Sequence, residues 1–275
     1  MIEIHELSKS FGKTQALDRV SLQIGPGIHG LLGPNGSGKT TLFRCLTNIL
    51  QWDSGELTLP DQISYLPQKF GFYKSMKVRD VMQYFASLKK LPPAQTKIET
   101  RTILEKVNLF EEVNKKVGAL SGGMLRRLGI ALAMQGSPEL ILVDEPTVGL
   151  DPEERLNFKQ LMADLGKETS LIISTHIVDD VEALCDQIII MHKGRVLAHA
   201  SQKEVAEYAK GKVYLLPVSE KERLESPYTV TQKVMVDHEE CIRVLSTKEQ
   251  AAEHVKPTIE DGYLLYIKEA DLRAQ

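Results

Sequence analysis

The chain has 275 residues, 42% of them hydrophobic and 26% charged, which suits a soluble globular protein of one large domain or a large domain with a small companion. Its net charge of −3 argues against broad electrostatic attraction to nucleic acid, and no apolar run approaches the roughly 20 residues of a membrane-spanning helix. The start, "MIEIHELSKS", lacks the basic-then-apolar pattern of a secretory signal, and three scattered cysteines (Cys45, Cys185, Cys241) predict neither a disulfide framework nor a zinc site, which fits a reducing cytosol.

In chain order, "GIHGLLG" (27–33) predicts a strand ending in a glycine-rich turn, and "TTLFRCLTNIL" predicts the helix after it. From about Phe70 to Gln135 the spacing becomes helical. "VRDVMQYFASLKK" and "TKIETRTILEKVNLF" are separated by "LPPAQ", a breaker, so a helical insertion of about 70–135 is expected. "LILVDEP" (140–146), "SLIISTH" (170–176) and "QIIIMHKGRVLA" (187–198) each predict one strand. The first two of these are continuous apolar runs, as parallel strands covered on both faces require. Beyond "EVAEYAKGK" (204–212), "VYLLPV", "TVTQKVMVD" and "CIRVLS" predict strands, while "TKEQAAEHV" and "TIEDGYLLYIKE" predict helices. The expected fold class is α/β with a mainly parallel sheet over 1–211, a helical insertion, and a small α+β appendage over 212–275.

"GPNGSGKT" fits G-x-x-x-x-G-K-[ST] and lies between a predicted strand and a predicted helix, the context that motif needs. Gly33, Pro34, Asn35, Gly36, Ser37 and Gly38 can turn backbone N–H groups toward phosphate, and the helix that starts near Thr40 and Thr41 adds its positive dipole end. Lys39 can reach the β- and γ-phosphates, and the Thr40 hydroxyl can ligate Mg²⁺. At the end of a later strand Asp144 is placed to hold Mg²⁺. Glu145, expected on the strand's opposite face, could polarise an attacking water. A plain alternative is that both acids merely end a strand before Pro146. In open α/β sheets, ligands gather at strand carboxyl ends, which favours the chemical reading.

Other positions carry weaker signals. His176 stands where a strand meets a helix, a common place for a structural histidine. Asp151 is a good N-cap with Pro152 behind it. Gln68 passes as a loop residue, and Phe11 as a hairpin aromatic or a platform for a base. "LSGGMLRR" (120–127) is a second apparent anion seat, because Ser121, Gly122 and Gly123 lead into a helix whose first N–H groups are free. Its alternative is a flexible turn before an amphipathic helix.

In this order the motifs resemble those of the ATP-binding subunit of ABC transporters, a P-loop NTPase family, over about residues 1–210. Phe11 matches its base-stacking aromatic, Gly33–Thr41 its Walker A loop, and Gln68 its Q-loop glutamine. Leu120–Met124 match its signature, "ILVDEP" its Walker B with catalytic Glu145, Asp151 its D-loop, and His176 its switch histidine. The resemblance implies an N-terminal antiparallel β part, ATP as substrate, and Mg²⁺ held by Thr40, Asp144 and Gln68. It also implies a second ATP-binding subunit, as homodimer or homologous cassette. In such a pair, ATP on one Walker A loop is covered by Ser121, Gly122 and Gly123 of the other, with Asp151 nearby. A separate membrane permease is implied too, contacting residues about 70–90, with the chain at the inner face of the cell membrane and no nucleic-acid partner.

Met124 stands where glutamine is frequent in the family, and Val148 where alanine is. "SGGM" with two following arginines, and the tail "PTIEDGYLLY", look like the drug- and lipid-exporting ABC-2 class. Soluble ribosomal or chromosomal ABC ATPases fit less well: the chain holds one Walker A loop and no long coiled coil. A non-catalytic regulatory subunit would not need Glu145 and His176.

Overall fold

The computed structural model describes residues 1–273. Strands β1 (Ile2–Phe11) and β2 (Thr14–Ile24) form an antiparallel pair whose turn uses Gly12 at φ +58°. After β3 (Ile28–Leu32) and helix α1 (Lys39–Leu46), strand β4 (Ser54–Thr58) joins that pair in a three-stranded antiparallel sheet ordered β2-β1-β4.

The central sheet has six strands. It takes in β5 (Ile63–Leu66), β6 (Leu140–Asp144), β7 (Ser170–Thr175), β8 (Gln187–His192) and β9 (Arg195–Ser201), in the order β5-β6-β7-β3-β8-β9. Five strands run parallel, and β9 returns antiparallel to β8. The run 187–198, expected as one strand, is therefore two. Lys193 and Gly194 take φ +46° and +78°, and left-handed conformations at both positions make a two-residue hairpin that reverses the chain.

Side chains alternate between two cores. Leu31, Leu142, Ile172 and Ile189 face the three-stranded sheet and α1, where Leu42 and Phe43 are buried. Leu32, Ile141, Val143, Ile173 and Ile190 face the helices on the other side. With both faces covered the strands need no polar alternation, and each buried aliphatic side chain contributes about 1.5–3 kcal/mol.

The insertion holds α2 (Val78–Leu88), α3 (Pro93–Lys106) and α4 (Gly122–Met134). α2 buries Val78, Val81, Met82 and Ala86, a single helical stripe. α3 begins inside "LPPAQ", which sequence reasoning treats as a breaker. Pro93 occupies the first helical position, where a missing N–H costs nothing and a fixed φ helps. The Lys89 ammonium anchors the insertion, donating to Ser64 Oγ at 3.2 Å, Leu132 O at 3.2 Å and Gln135 O at 2.6 Å.

Helices α5 (Pro152–Gly166), α6 (Val178–Leu184) and α7 (Gln202–Glu207) follow β6, β7 and β9. Then β10 (Val213–Pro217), β11 (Tyr228–Val236), β12 (Glu239–Ser246) and β13 (Glu253–His254) form an antiparallel sheet ordered β11-β12-β10-β13. "TKEQAAEHV", expected as a helix, is irregular and ends in β13. Buried Gln250 holds it: the amide donates to Glu225 O and Ser246 Oγ, both at 2.9 Å, and accepts from Glu225 N at 2.8 Å. Satisfying that amide outweighs local helix propensity.

Helix α8 (Ile259–Arg273) leaves this sheet and lies on the central core. Tyr266 stacks on Tyr208 with centroids 3.8 Å apart, and Asp271 bonds His192 Nε2 at 2.9 Å. A Cβ at Gly262 would meet Val205 O at 1.8 Å, so only glycine allows α8 this close to α7. Its first turn is pinned by Asp261, 1% exposed, which accepts from Arg243 Nη2 at 2.6 Å and from Thr258 N and Oγ1 at 2.8 Å.

Asp261→Ala leaves Arg243 without its carboxylate and is expected to lower stability by about 3 kcal/mol in urea denaturation. A loss under about 1 kcal/mol, the size of an ordinary surface ion pair, would show that this pair does not hold α8 in place.

Candidate functional site

The loop between β3 and α1 is shaped by its glycines. A Cβ at Gly33 would meet Met191 O at 2.2 Å, and one at Gly38, φ +108°, would meet Ala16 O at 2.5 Å. The loop is thus pressed against β8 and β2 on its inner side. Gly38 is the N-cap of α1 and offers no side-chain bond, and no acid occupies the first turn. The first N–H groups of α1 are consequently open to an anion, with the helix dipole behind them. Ser37 Oγ is buried there and has no hydrogen-bond partner among the described residues.

Lys39, 6% exposed, donates to Gly33 O at 2.6 Å and Pro34 O at 3.1 Å, and its Nζ lies 3.8 Å from Glu145 Oε1. Burial lowers its pKa, and the charges of Glu145 and Asp144 oppose that shift. An ammonium satisfied by loop carbonyls is one that a phosphate can recruit, because a charge-assisted bond to phosphate is stronger than one to a neutral carbonyl.

Asp144 ends β6 in register with Ser174 of β7. Its Oδ2 accepts from Thr40 Oγ1 at 3.0 Å and from Tyr65 Oη at 3.3 Å, and its Oδ1 accepts from Ser174 Oγ. Burial and the neighbouring Asp144 charge push the Tyr65 hydroxyl up to about 12, so it stays protonated as a donor. Thr40 and Asp144 together present a hydroxyl and a carboxylate oxygen, a donor set that suits Mg²⁺.

Glu145 does not continue the strand onto its opposite face, as expected from alternation. Its φ is +49°, in the left-handed region, so the chain turns out of the sheet at this residue. The carboxylate is thereby aimed along the strand ends, with Oε2 2.8 Å from His176 Nδ1 and Oε1 toward Lys39. A carboxylate in a left-handed turn costs about 1–2 kcal/mol of backbone energy, offset here by those two partners.

The remaining expected positions form no hydrogen bond to this cluster among the described residues. Asp151 is the N-cap of α5, accepting from Glu154 N at 2.8 Å. Phe11, 50% exposed, stands at the end of β1 with Lys9 Nζ 5.8 Å from its ring centroid. Gln68 is exposed after β5, and its side chain forms no hydrogen bond among the described residues. Ser121 caps α4, its Oγ accepting from Met124 N at 3.1 Å; Ser121 and Gly122 are exposed while Gly123 is buried. No hydrogen bond among the described residues joins Ser121, Gly122 or Gly123 to Lys39, Thr40 or Asp144.

Several residues that hold the site escaped sequence reasoning. Asp180, 1% exposed, accepts from Thr147 Oγ1, from Arg155 Nη2 at 2.6 Å, and pairs with Lys159 Nζ at 3.1 Å. Burial works to raise its pKa, but these donors bring it below the ordinary carboxylate value. This knot ties the loop after Glu145 to the helix after His176. Arg126 donates to Gln68 O and Val148 O, both at 3.2 Å, linking α4 to two loops. Ser174 had a readable signal, since two parallel apolar strands of similar length place their polar ends side by side. Asp180 had a weaker one, four residues after His176.

An α/β core with a phosphate-loop lysine, a metal-type acid and a second acid beside it defines a P-loop NTPase. A family model described as "ABC transporter" matches residues 17–148. "Uncharacterized ABC transporter ATP-binding protein YxlF" of Bacillus subtilis (strain 168) is 34% identical over 229 residues, covering 80% of this chain and 78% of that protein. "Nod factor export ATP-binding protein I" of Rhizobium etli is 28% identical over 292 residues, 96% of this chain and 92% of that one. Among solved structures, cbiO1 from Clostridium perfringens, part of the ABC transporter complex cbiONQ, has a TM-score of 0.67 at 28% identity, covering 74% of this chain and 89% of its own. The chain belongs to the family of ABC transporter ATP-binding proteins.

Ser174→Ala removes the donor on Asp144 Oδ1. It is expected to raise the Mg²⁺ concentration for half-maximal ATP hydrolysis about tenfold, as loss of an outer-shell partner does. A midpoint that stays put in a Mg²⁺ titration would show that Ser174 does not orient Asp144.

Proposed function

We propose that this chain binds and hydrolyses ATP as one of two cassettes that drive export through a separate membrane permease. The observation that carries the reading is the division of the anion seats. One, at Gly33–Thr41, lies with Asp144, Glu145 and His176, while the other, at Ser121–Gly123, has Ser121 and Gly122 exposed and no hydrogen bond to any of them among the described residues. A second seat so placed serves a nucleotide held by a neighbour.

In this reading the loop N–H groups and Lys39 hold the β- and γ-phosphates. Thr40 and Asp144 would hold Mg²⁺, with Gln68 approaching it on closure; the ion supplies neutralisation of phosphate charge. Glu145 accepts a proton from the water whose oxygen attacks the γ-phosphorus, as the bond to the bridging oxygen of ADP breaks. His176 keeps the Glu145 carboxylate oriented. Phe11 stacks on the base, and Asp151 stands beside the partner's nucleotide. ATP favours the closed pair because its γ-phosphate touches both protomers only there; hydrolysis removes that bridge and the pair opens.

Among the described residues no helix is long and apolar enough to cross a membrane. In this reading a permease supplies the translocation path. Its docking surface is the aromatic patch that follows Gln68: Phe72 packs edge to face on Phe85 and at a tilt on Phe70, while Tyr73 is 74% and Tyr84 50% exposed. The name of the Rhizobium relative, which spans the C-terminal region as well, supports export over uptake. Placement is then at the cytoplasmic face of the membrane.

Glu145→Gln is expected to bind ATP and to slow turnover at least about a hundredfold, the scale of a lost general base. Near-normal phosphate release from this variant would remove Glu145 from the role. Tyr73→Ala with Tyr84→Ala is expected to abolish transport in vesicles carrying the permease while basal ATPase persists. Equal loss of both would place the coupling surface elsewhere.

A further inference from the structure

The second seat is partly occupied in the single protomer. Four N–H groups at the start of α4 have no intrahelical partner: those of Ser121, Gly122, Gly123 and Met124. Met124 N donates to Ser121 Oγ. Gly123 N donates to a carboxylate from another helix, Glu154 Oε1, at 3.2 Å. The Ser121 and Gly122 N–H groups are left without a partner among the described residues.

Glu154 reaches the seat because Gly123 has no side chain. A Cβ there would meet Glu154 Oε1 at 2.3 Å and Cδ at 2.6 Å. Asp151 fixes the starting point of the reach by capping α5 through Glu154 N at 2.8 Å. No Lys, Arg or His among the described residues pairs with Glu154, so its charge faces the seat uncompensated except by the N–H dipoles. The arrangement matches what the seat is built to hold, an anion on the N-terminus of a helix.

We propose that Glu154 is an internal plug: its carboxylate occupies the Ser121–Gly123 seat in the open protomer and must leave before a neighbour's γ-phosphate can enter. This rests on the reading of that seat as the cover for a nucleotide bound by the other cassette. Carboxylate and phosphate cannot share one N–H donor, and their like charges repel at that range. Glu154 therefore competes with the partner's ATP and sets how much nucleotide and protein are needed before two chains close. Phosphate wins when present because it carries more charge and is held from both sides. Without ATP the plug discourages other anions from bridging two copies.

The experiment is sedimentation of the Glu145→Gln protein against ATP–Mg²⁺ concentration, with second substitutions added. Glu154→Ala is expected to lower the ATP midpoint for dimerisation about fivefold, the scale of one charge-assisted hydrogen bond removed from the competing state. Glu154→Gln keeps the shape, loses the charge, and is expected to fall between. Glu153→Ala removes the same charge from the same helical turn and leaves the midpoint unchanged, which separates the plug from any effect on α5. Binding of a fluorescent ATP analogue to dilute monomer is expected to be equal in all three. An unchanged or higher midpoint in both Glu154 variants overturns the plug. Ser121→Arg distinguishes the two readings: if it blocks ATP-driven dimers while the Glu154 variants behave like the parent, the shared seat stands without the plug. If Ser121→Arg dimerises normally, the shared seat fails and the plug with it.

Discussion

A buried ammonium organises the phosphate-loop end of this molecule. Lys39 sits at the start of α1, gripped by the carbonyls of Gly33 and Pro34 and faced by Glu145. An ion so enclosed is stable only because the carbonyls and acids replace its lost water. That requirement constrains everything near it. Gly33 and Gly38 must lack side chains so the loop can lie against Met191 and Ala16, and β3 must end beside β7 and β8. β6 must also deliver Asp144 and Glu145 to the same edge. Parallel strands meet the last condition, since they bring their carboxyl ends to one side of a sheet.

The elements most legible in the sequence were those governed by local chemistry. The phosphate loop is a contiguous string whose glycines have only conformational reasons to exist. The apolar strands 140–144 and 170–175 announce burial on both faces. Where sequence reasoning failed, a nonlocal or two-residue effect decided the outcome. Lys193 and Gly194 split one apolar run into a hairpin, although neither looks unusual in a strand of mixed composition. Pro92 and Pro93 do separate two helices, as expected, but Pro93 is already the first residue of the second, because proline is tolerated in the first turn and nowhere later. Gln250 kept a helix-prone segment irregular through bonds to Glu225 and Ser246, partners no periodicity can reveal.

The site divides in the same way. Asp144, Glu145 and His176 were visible as polar endings of apolar strands, and the structure gathers them. The direction of Glu145 was not visible, since alternation assigns it to the far face and only its left-handed backbone turns it toward His176 and Lys39. The knot at Asp180 and the clamp at Arg126 were hidden because each joins segments far apart in sequence. Ser121–Gly123 reads in sequence as an expected anion seat, whereas the Glu154 contact to Gly123 N, between two helix N-termini, leaves no trace there. The family assignment rests on relatives spanning most of the chain, and one of them includes the region of the four-stranded sheet and α8. That region meets the core through Tyr266 on Tyr208 and Asp271 on His192, and His192 precedes the hairpin turn whose Gly194 N–H donates to Ser37 O of the phosphate loop.

The account depends on nucleotide lying between glycine loops from two different chains. Determining the structure of the Glu145→Gln protein crystallised with ATP and Mg²⁺ tests this most directly. The expected result is a head-to-tail pair with two nucleotides, each touching Lys39 of one protomer and Ser121 of the other. A nucleotide-loaded structure in which Ser121 faces solvent, or turns back toward its own Lys39, would contradict it.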